Sequence, residues 1–149
     1  MDLEIKKLGR QDLDKFVALI QVFEDVFEMK MFRMPSKDYL KSVLEKEGFF
    51  VFVALLNNQV LGGLTAYTIH QYYAEKPLVY IYDLAVKREF QRQGIGKKLI
   101  QSTTDYCKAN GMEEVFVQAD VEDDYAIEFY QSTGGTPEKV IHFSYPLNS

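Results

Sequence analysis

The sequence carries one cysteine, two histidines, four prolines and no tryptophan in 149 residues. A single thiol, Cys107, allows no internal disulfide and fits a reducing compartment such as the cytoplasm. His70 and His142 are too isolated in sequence to suggest a metal site. Long apolar runs are missing as well. The longest, Phe49 to Leu56, falls far short of the roughly 20 residues that cross a bilayer, so no membrane partner is expected. The opening Met1-Asp2-Leu3-Glu4 is acidic where a secretory signal would be basic and then apolar. No repeat, low-complexity tract or linker interrupts the chain. What is present is ordinary for a soluble globular protein, with 47% apolar and 26% charged residues, and the length suits one domain over 1–149. The formal net charge of −5 argues against nucleic acid and for a cationic partner.

Hydrophobic periodicity predicts the order βααβββαβαβ. A short strand, Leu3 to Leu8, precedes a helix from about Asp12, with Leu13, Phe16, Val17, Ile20, Phe23 and Phe27 at three- and four-residue steps. The segment Met29 to Pro35 is apolar and irregular. It reads either as a core plug or as a pliable wall of a substrate cleft. Ser36 can cap a second helix, Lys37 to Glu47, that stops at Gly48. Phe49 to Leu56 and Gln59 to Tyr67 form a hairpin across Asn57-Asn58, a pair suited to positive φ. A strand from Tyr80 to Val86 leads through a glycine-bearing turn into a helix with Ile95, Leu99, Ile100, Thr103 and Cys107 on one face. That placement makes Cys107 a core thiol rather than a nucleophile. A strand from Glu114 to Ala119, a helix through Ala126, Ile127, Phe129 and Tyr130, and a last strand from Glu138 to Tyr145 complete the order. The fold class is α/β (α+β), a mixed and mostly antiparallel sheet of about six strands with helices on both faces.

The turn Gln91-Arg92-Gln93-Gly94-Ile95-Gly96 organises the rest. A glycine turn feeding a helix offers unpaired backbone N–H groups and the positive end of a dipole. Arg92, Lys97 and Lys98 add cationic charge, and the expected ligand bears phosphate. Two commoner phosphate loops do not fit. A dinucleotide fingerprint needs glycine where Leu99 stands, and a P-loop needs four residues between its glycines.

The pattern Q-x-x-G-x-G after a strand ending Leu84-Ala85-Val86 resembles the acetyl-CoA segment of the GCN5-related N-acetyltransferases. Ala126, Ile127 and Tyr130 match that superfamily's Ala-Ile-x-x-Tyr helix. Asp123 stands where an Asn is usual, and Gly135 where an aromatic is usual. The strings YIYDLAV, QRQGIG, VFVQAD with the following acidic pair, VIHFSY, LGGLTAY and SKDYLKSVL look like aminoglycoside 3-N-acetyltransferases of the gentamicin-modifying type. The resemblance implies acetyl-CoA as cofactor, held by the backbone of Leu84, Ala85 and Val86 and by Gln91, Arg92, Gln93, Gly94, Ile95, Gly96 and Lys97, with Asp123 and Tyr130 beside it. It implies an aminoglycoside as substrate and leaves a homodimer open. Another cationic amine, such as a polyamine or protein lysine, is the alternative acceptor. A catalytically silent acetyl-CoA-binding module is a further one.

Amide formation from a thioester needs a neutral amine, a polarised carbonyl and a proton for the thiolate. Asp83 lies in an otherwise apolar strand, where an ionised group needs a partner or a task. It reads as the base that takes the amine proton, or else as a buried partner to an Arg or Lys. Tyr130 reads as the acid for the thiolate, or as a helix residue packed on the sheet. Asp120, Glu122, Asp123 and Asp124 suit a helix N-terminus, yet they exceed what a cap requires and are expected to bind substrate ammonium groups. His142 is expected to line the pocket beside the last strand.

Overall fold

In the computed structural model, which describes residues 2–148, the elements run β1 (Leu3–Lys7), α1 (Leu13–Val26), α2 (Lys37–Leu44), β2 (Phe49–Leu56), β3 (Gln59–Ile69), β4 (Leu78–Val86), α3 (Ile95–Ala109), β5 (Glu114–Val117) and α4 (Asp124–Ser132). One turn of 3-10 helix, Arg88–Phe90, precedes α3. The chain divides into two compact units after Gln118.

In the first unit the five strands lie in the order β1-β2-β3-β4-β5. All neighbours are antiparallel except β4 and β5, which run parallel. The hairpin forms as its residues demand: Asn57 and Asn58 both take positive φ, 51° and 64°. β2 is buried along nearly its whole length, as a strand covered on both faces must be. One face carries Val51, Val53, Leu55 and Ala85 against Phe16, Leu19, Val22 and Phe23 of α1 and Leu40 and Leu44 of α2. The other carries Phe50, Phe52, Leu61, Leu64, Val79, Ile81 and Val86 against Ile95, Leu99 and Cys107 of α3. A fully buried leucine such as Leu19 contributes about 1.5–3 kcal/mol over its exposed state. Cys107 is 2% exposed, and burial pushes its thiol up to about 11, so it packs as a hydrophobe.

Local signals explain the helix ends. The Ser36 hydroxyl accepts the Tyr39 N–H at 3.2 Å and caps α2, which ends at Leu44, three residues before the expected Glu47. Asp12 precedes α1 and is buried. Its carboxylate accepts the Gly9 N–H at 2.8 Å and pairs with Lys6 at 3.3 Å and Lys15 at 3.9 Å. Burial works against that charge, but the Gly9 N–H and the two lysines outweigh it and hold Asp12 below its ordinary value. The apolar segment after α1 divides by residue: Met34 packs on the α1–α2 core, whereas Met31 is 99% exposed.

The second unit contains α4. Asp123 caps it, with Oδ1 accepting the Ala126 N–H at 3.0 Å, and Gly134 leaves it at φ 100°. The expected sixth strand, Glu138 to Tyr145, does not form, and the sheet has five strands. Val140, Ile141, Phe143 and Tyr145 are 66–84% exposed. Alternating side chains supply a strand with faces, but only a paired backbone makes it a strand, and residues 138–145 have no pairing among the described residues.

Candidate active site

Strand pairing decides which way Asp83 points. Val53 faces α1 and pairs with Gly63, whose position a Cβ could take only against Leu19 of α1. Two residues along the same face, Thr65 pairs with Asp83. The Asp83 carboxylate therefore stands on the α1–α2 face of the sheet. It makes no ion pair or hydrogen bond among the described residues, and burial alone raises its pKa. The reading of Asp83 as partner to a buried cation is set aside by this geometry. What remains is a half-buried carboxylate that holds protons more readily than usual.

A β-bulge surrounds it. Thr65 pairs with Asp83 and Ala66 with Ile81, which leaves Tyr82 as the extra residue of β4. Such a bulge re-aims side chains locally. Tyr67 and Tyr80 pair across the strands, and their rings lie 5.8 Å and 5.9 Å from that of Tyr82. Burial raises the Tyr67 and Tyr80 phenols, with Tyr82 and Asp83 adding to it in both. This tyrosine group went unread in the sequence. The alternation Tyr80-x-Tyr82 was visible, but Tyr67 comes beside it only through the β3–β4 register.

β5 pairs with β4 only from Leu78 to Ile81. The edge of β4 away from β3 therefore carries no strand partner over residues 82–86, where Leu84, Ala85 and Val86 lie. The turn that follows is tied to this edge, because Gln91 Nε2 donates to the Val86 carbonyl at 2.9 Å. Arg92 and Gly94 take positive φ, 63° and 83°. Gly94 precedes α3 without any side-chain cap, and beyond its two chain neighbours no atom of the described residues lies within 4 Å of where its Cβ would stand. Among the described residues, no N–H from Gln93 to Lys97 donates to a backbone carbonyl, the first that does being Lys98 to Gly94. Lys97 and Lys98 are exposed in the first turn of α3. The donors, the positive dipole end and the open space over Gly94 all fit a phosphate-bearing group.

Arg88 holds the 3-10 turn on the C-terminus of α1. Its guanidinium donates to Asp25 Oδ2 at 3.1 Å, to the Asp25 carbonyl at 2.9 Å and to the Val26 carbonyl at 3.3 Å. Sequence alone gave no reason to single out Arg88, because its partners lie more than sixty residues upstream.

In the second unit, Asp120, Val121, Glu122 and Asp123 line a shallow depression. One Asp123 oxygen is committed to the helix cap, which leaves Asp120, Glu122 and Asp124 as exposed carboxylates. Tyr130 lies half-buried on α4, its ring 5.0 Å from that of Phe129. His142 is exposed in the stretch where no strand forms.

Comparison with known proteins decides the family. The family model described as "Acetyltransferase (GNAT) family" matches residues 16–134. The chain belongs to that acetyltransferase family. Among solved structures, it is similar to the aminoglycoside acetyltransferase meta-AAC0020 from an uncultured soil metagenomic sample. The complex of that protein with sisomicin superposes with a TM-score of 0.97 at 54% identity, covering 98% of this chain and 97% of that one. Its complex with trehalose gives 0.96 at 55% identity, with the same coverage. Among curated proteins, N-alpha-acetyltransferase 30 of Schizosaccharomyces pombe is 33% identical over 86 residues, 57% of this chain. An uncharacterized N-acetyltransferase of Methanocaldococcus jannaschii is 26% identical over 140 residues, 92% of this chain. The matched regions span 56% and 62% of those two relatives.

Proposed function

We propose that this chain is an acetyl-CoA-dependent N-acetyltransferase that acetylates the 3-amino group of a 2-deoxystreptamine aminoglycoside such as gentamicin. The observation that carries the reading is the similarity over 98% of the chain to an aminoglycoside acetyltransferase crystallised with sisomicin. Family membership from 16 to 134 runs across both units and supports one catalytic domain. In this reading the enzyme acts in the cytoplasm and inactivates the drug there.

The bound cofactor would supply an acetyl thioester. In this reading the backbone N–H groups from Gln93 to Lys97 hold its phosphates, with Arg92, Lys97 and Lys98 as counter-charge. The unpaired edge at Leu84, Ala85 and Val86 pairs with its amide arm and polarises the carbonyl that is attacked. Asp83 takes the proton from the acceptor ammonium. Its raised pKa suits the task, because a base that holds protons more tightly extracts them better once ionised. Tyr130 keeps a proton at Oη for the departing thiolate. Asp120, Glu122 and Asp124 attract the remaining ammonium groups, and His142 lies with them in the second unit. Transfer is direct in this reading, since no nucleophile for an acyl-enzyme is evident and the one thiol, Cys107, is buried. A carboxylate left without a counter-ion favours an enzyme over a silent binding module. The fission-yeast relative is named an N-alpha-acetyltransferase, which supports a second reading in which the acceptor is another cationic amine, a polyamine or a protein lysine.

Thiol release from acetyl-CoA, measured with gentamicin, sisomicin, kanamycin, spermidine and a histone-tail peptide, separates these acceptors. Two-dimensional NMR of the product locates the acetyl group. Turnover of gentamicin far above that of spermidine or peptide, with acetylation at N3, is the expected result. Preferred turnover of spermidine or peptide would move the assignment to the second reading.

A further inference from the structure

Beyond Asp83, the sheet face that meets α1 and α2 carries a row of rings. Phe49, Tyr67, Tyr80 and Phe116 follow one another across β2, β3, β4 and β5, with centroids 5.1 Å apart for Phe49–Tyr67 and 4.8 Å for Tyr80–Phe116. Most of this row is ordinary cross-strand packing. Tyr82 is not. The bulge lifts it out of register, its ring stands at 88° to both Tyr67 and Tyr80, and it is 58% exposed while Tyr67 is 42% exposed. The rings meet edge to face, and the exposed parts of Tyr82 and Tyr67 present aromatic surface to solvent beside Asp83. Tyr80 is held in place, its hydroxyl donating to Gln118 Oε1 at 3.0 Å. Asp83, the next residue, places a carboxylate without a counter-ion on the same face. Two exposed tyrosines beside a carboxylate with no ion pair among the described residues offer a cation both aromatic surface and counter-charge.

We propose that Tyr82 and Tyr67 form an aromatic seat for an ammonium-bearing saturated ring, with Asp83 facing the amine that the ring presents. The negative faces of the phenols attract the cation, and their flat surfaces receive the C–H face of a cyclitol or amino sugar. The surface of two rings suits a six-membered ring better than a thin methylene chain, so the seat discriminates aminocyclitols from linear polyamines. This inference rests on the aminoglycoside reading above and adds the residues that select the acceptor.

Calorimetric titration with gentamicin and with spermidine, run beside the thiol-release assay, tests it. Tyr82→Ala should weaken gentamicin binding about five- to thirty-fold, the span of one cation–π contact from partly to fully desolvated. Spermidine binding should weaken less and the acetyl-CoA KM should stay at the wild-type value, while the melting temperature falls modestly with the lost ring contacts. Tyr82→Phe keeps the ring and should bind gentamicin as the wild type does. Tyr67→Ala should follow Tyr82→Ala. If gentamicin binding weakens in the alanine variants although the wild type releases no thiol with it, the seat stands and the enzyme reading fails. If the wild type acetylates gentamicin while Tyr82→Ala and Tyr67→Ala bind it equally well, the seat is wrong and the enzyme reading stands. A wild type that does not bind gentamicin at all overturns both.

Discussion

Replacing Gly62 with alanine puts a methyl group where β4 already stands. The new Cβ would lie 2.5 Å from the Ala85 carbonyl oxygen, 2.8 Å from Val86 Cα and 3.1 Å from Val86 Cγ2. Favourable carbon contacts begin at about 3.5 Å, so the overlap approaches an ångström. The obstructing atoms are mostly backbone, held by the pairing of Gly62 with Val86 and Gly63 with Ala85. They cannot rotate aside as a side chain would. Overpacking of this kind costs about 1–3 kcal/mol. At about 2–4 °C per kcal/mol for a chain of this size, the melting temperature should fall by about 2–12 °C. The strand that must yield is the one proposed to pair with the cofactor, so the acetyl-CoA KM should rise more than the acceptor KM. Gly111→Ala is the control. It forces a side chain into positive φ, at 75°, which Gly62→Ala does not, but beyond its chain neighbours it meets nothing within 4 Å among the described residues; it should cost about 1–2 kcal/mol with both KM values unchanged. Differential scanning fluorimetry and steady-state kinetics on the two variants settle the comparison. A Gly62→Ala protein with wild-type melting and wild-type acetyl-CoA KM would refute the close approach of β3 to β4 on which the argument rests.

Three further outcomes are expected. Gly96→Asp places an acid in the first turn of α3, which suits the helix dipole but repels phosphate; acetyl-CoA affinity should fall ten-fold or more by calorimetry, about 1.4 kcal/mol, with no loss of thermal stability. Asp12→Asn removes a buried carboxylate from two lysines and the Gly9 N–H, costing about 1.5–3 kcal/mol at pH 7. Because the folded pKa of Asp12 is depressed, its contribution is present above the ordinary value of 3.8 and fades as pH falls through the depressed one, so the variant and wild type should converge in urea melts at acid pH. Asp120→Asn with Glu122→Gln should raise the gentamicin KM more than the acetyl-CoA KM, and added salt should weaken the wild type more than this double variant. Equal salt sensitivity would return those acids to helix capping.

Much of this was legible in the sequence because local chemistry decides it. Asn57-Asn58 and Ser36 carry their conformations in their own residue types, and the structure shows both as read; in the Gln91–Gly96 turn Gly94 takes the positive φ that suits glycine, whereas Arg92 takes one that its residue type does not announce. The alternation of β4 marked Asp83 as an acid among apolar neighbours. What sequence could not supply is register. The bulge at Tyr82, and with it the meeting of Tyr67, Tyr80 and Tyr82 beside Asp83, depends on which β3 residue faces which β4 residue. The Arg88 contacts to Asp25 and Glu28 are equally non-local. The stretch from Glu138 to Tyr145 fails in the opposite direction, since its strand-like pattern carries no pairing in the structure.

Asp83→Asn tests the central claim most directly, measured as kcat with gentamicin beside acetyl-CoA affinity and thermal stability. The substitution keeps the shape of the side chain and removes its basicity. If Asp83 takes the amine proton, kcat at pH 7 should drop by about 10²–10⁴ while acetyl-CoA binding survives. Stability should move the other way. Burial raises the folded pKa of Asp83, so the folded state binds more protons than the unfolded one, and stability is lost as pH rises from the ordinary value through the raised one. Asparagine carries no such cost, so the variant should melt higher than the wild type at pH 7 and gain nothing at a pH below 3.8, the ordinary value. A well-folded Asp83→Asn protein that acetylates gentamicin at near wild-type rate at pH 7 would contradict the account and make Asp120 or Glu122 the next base to test.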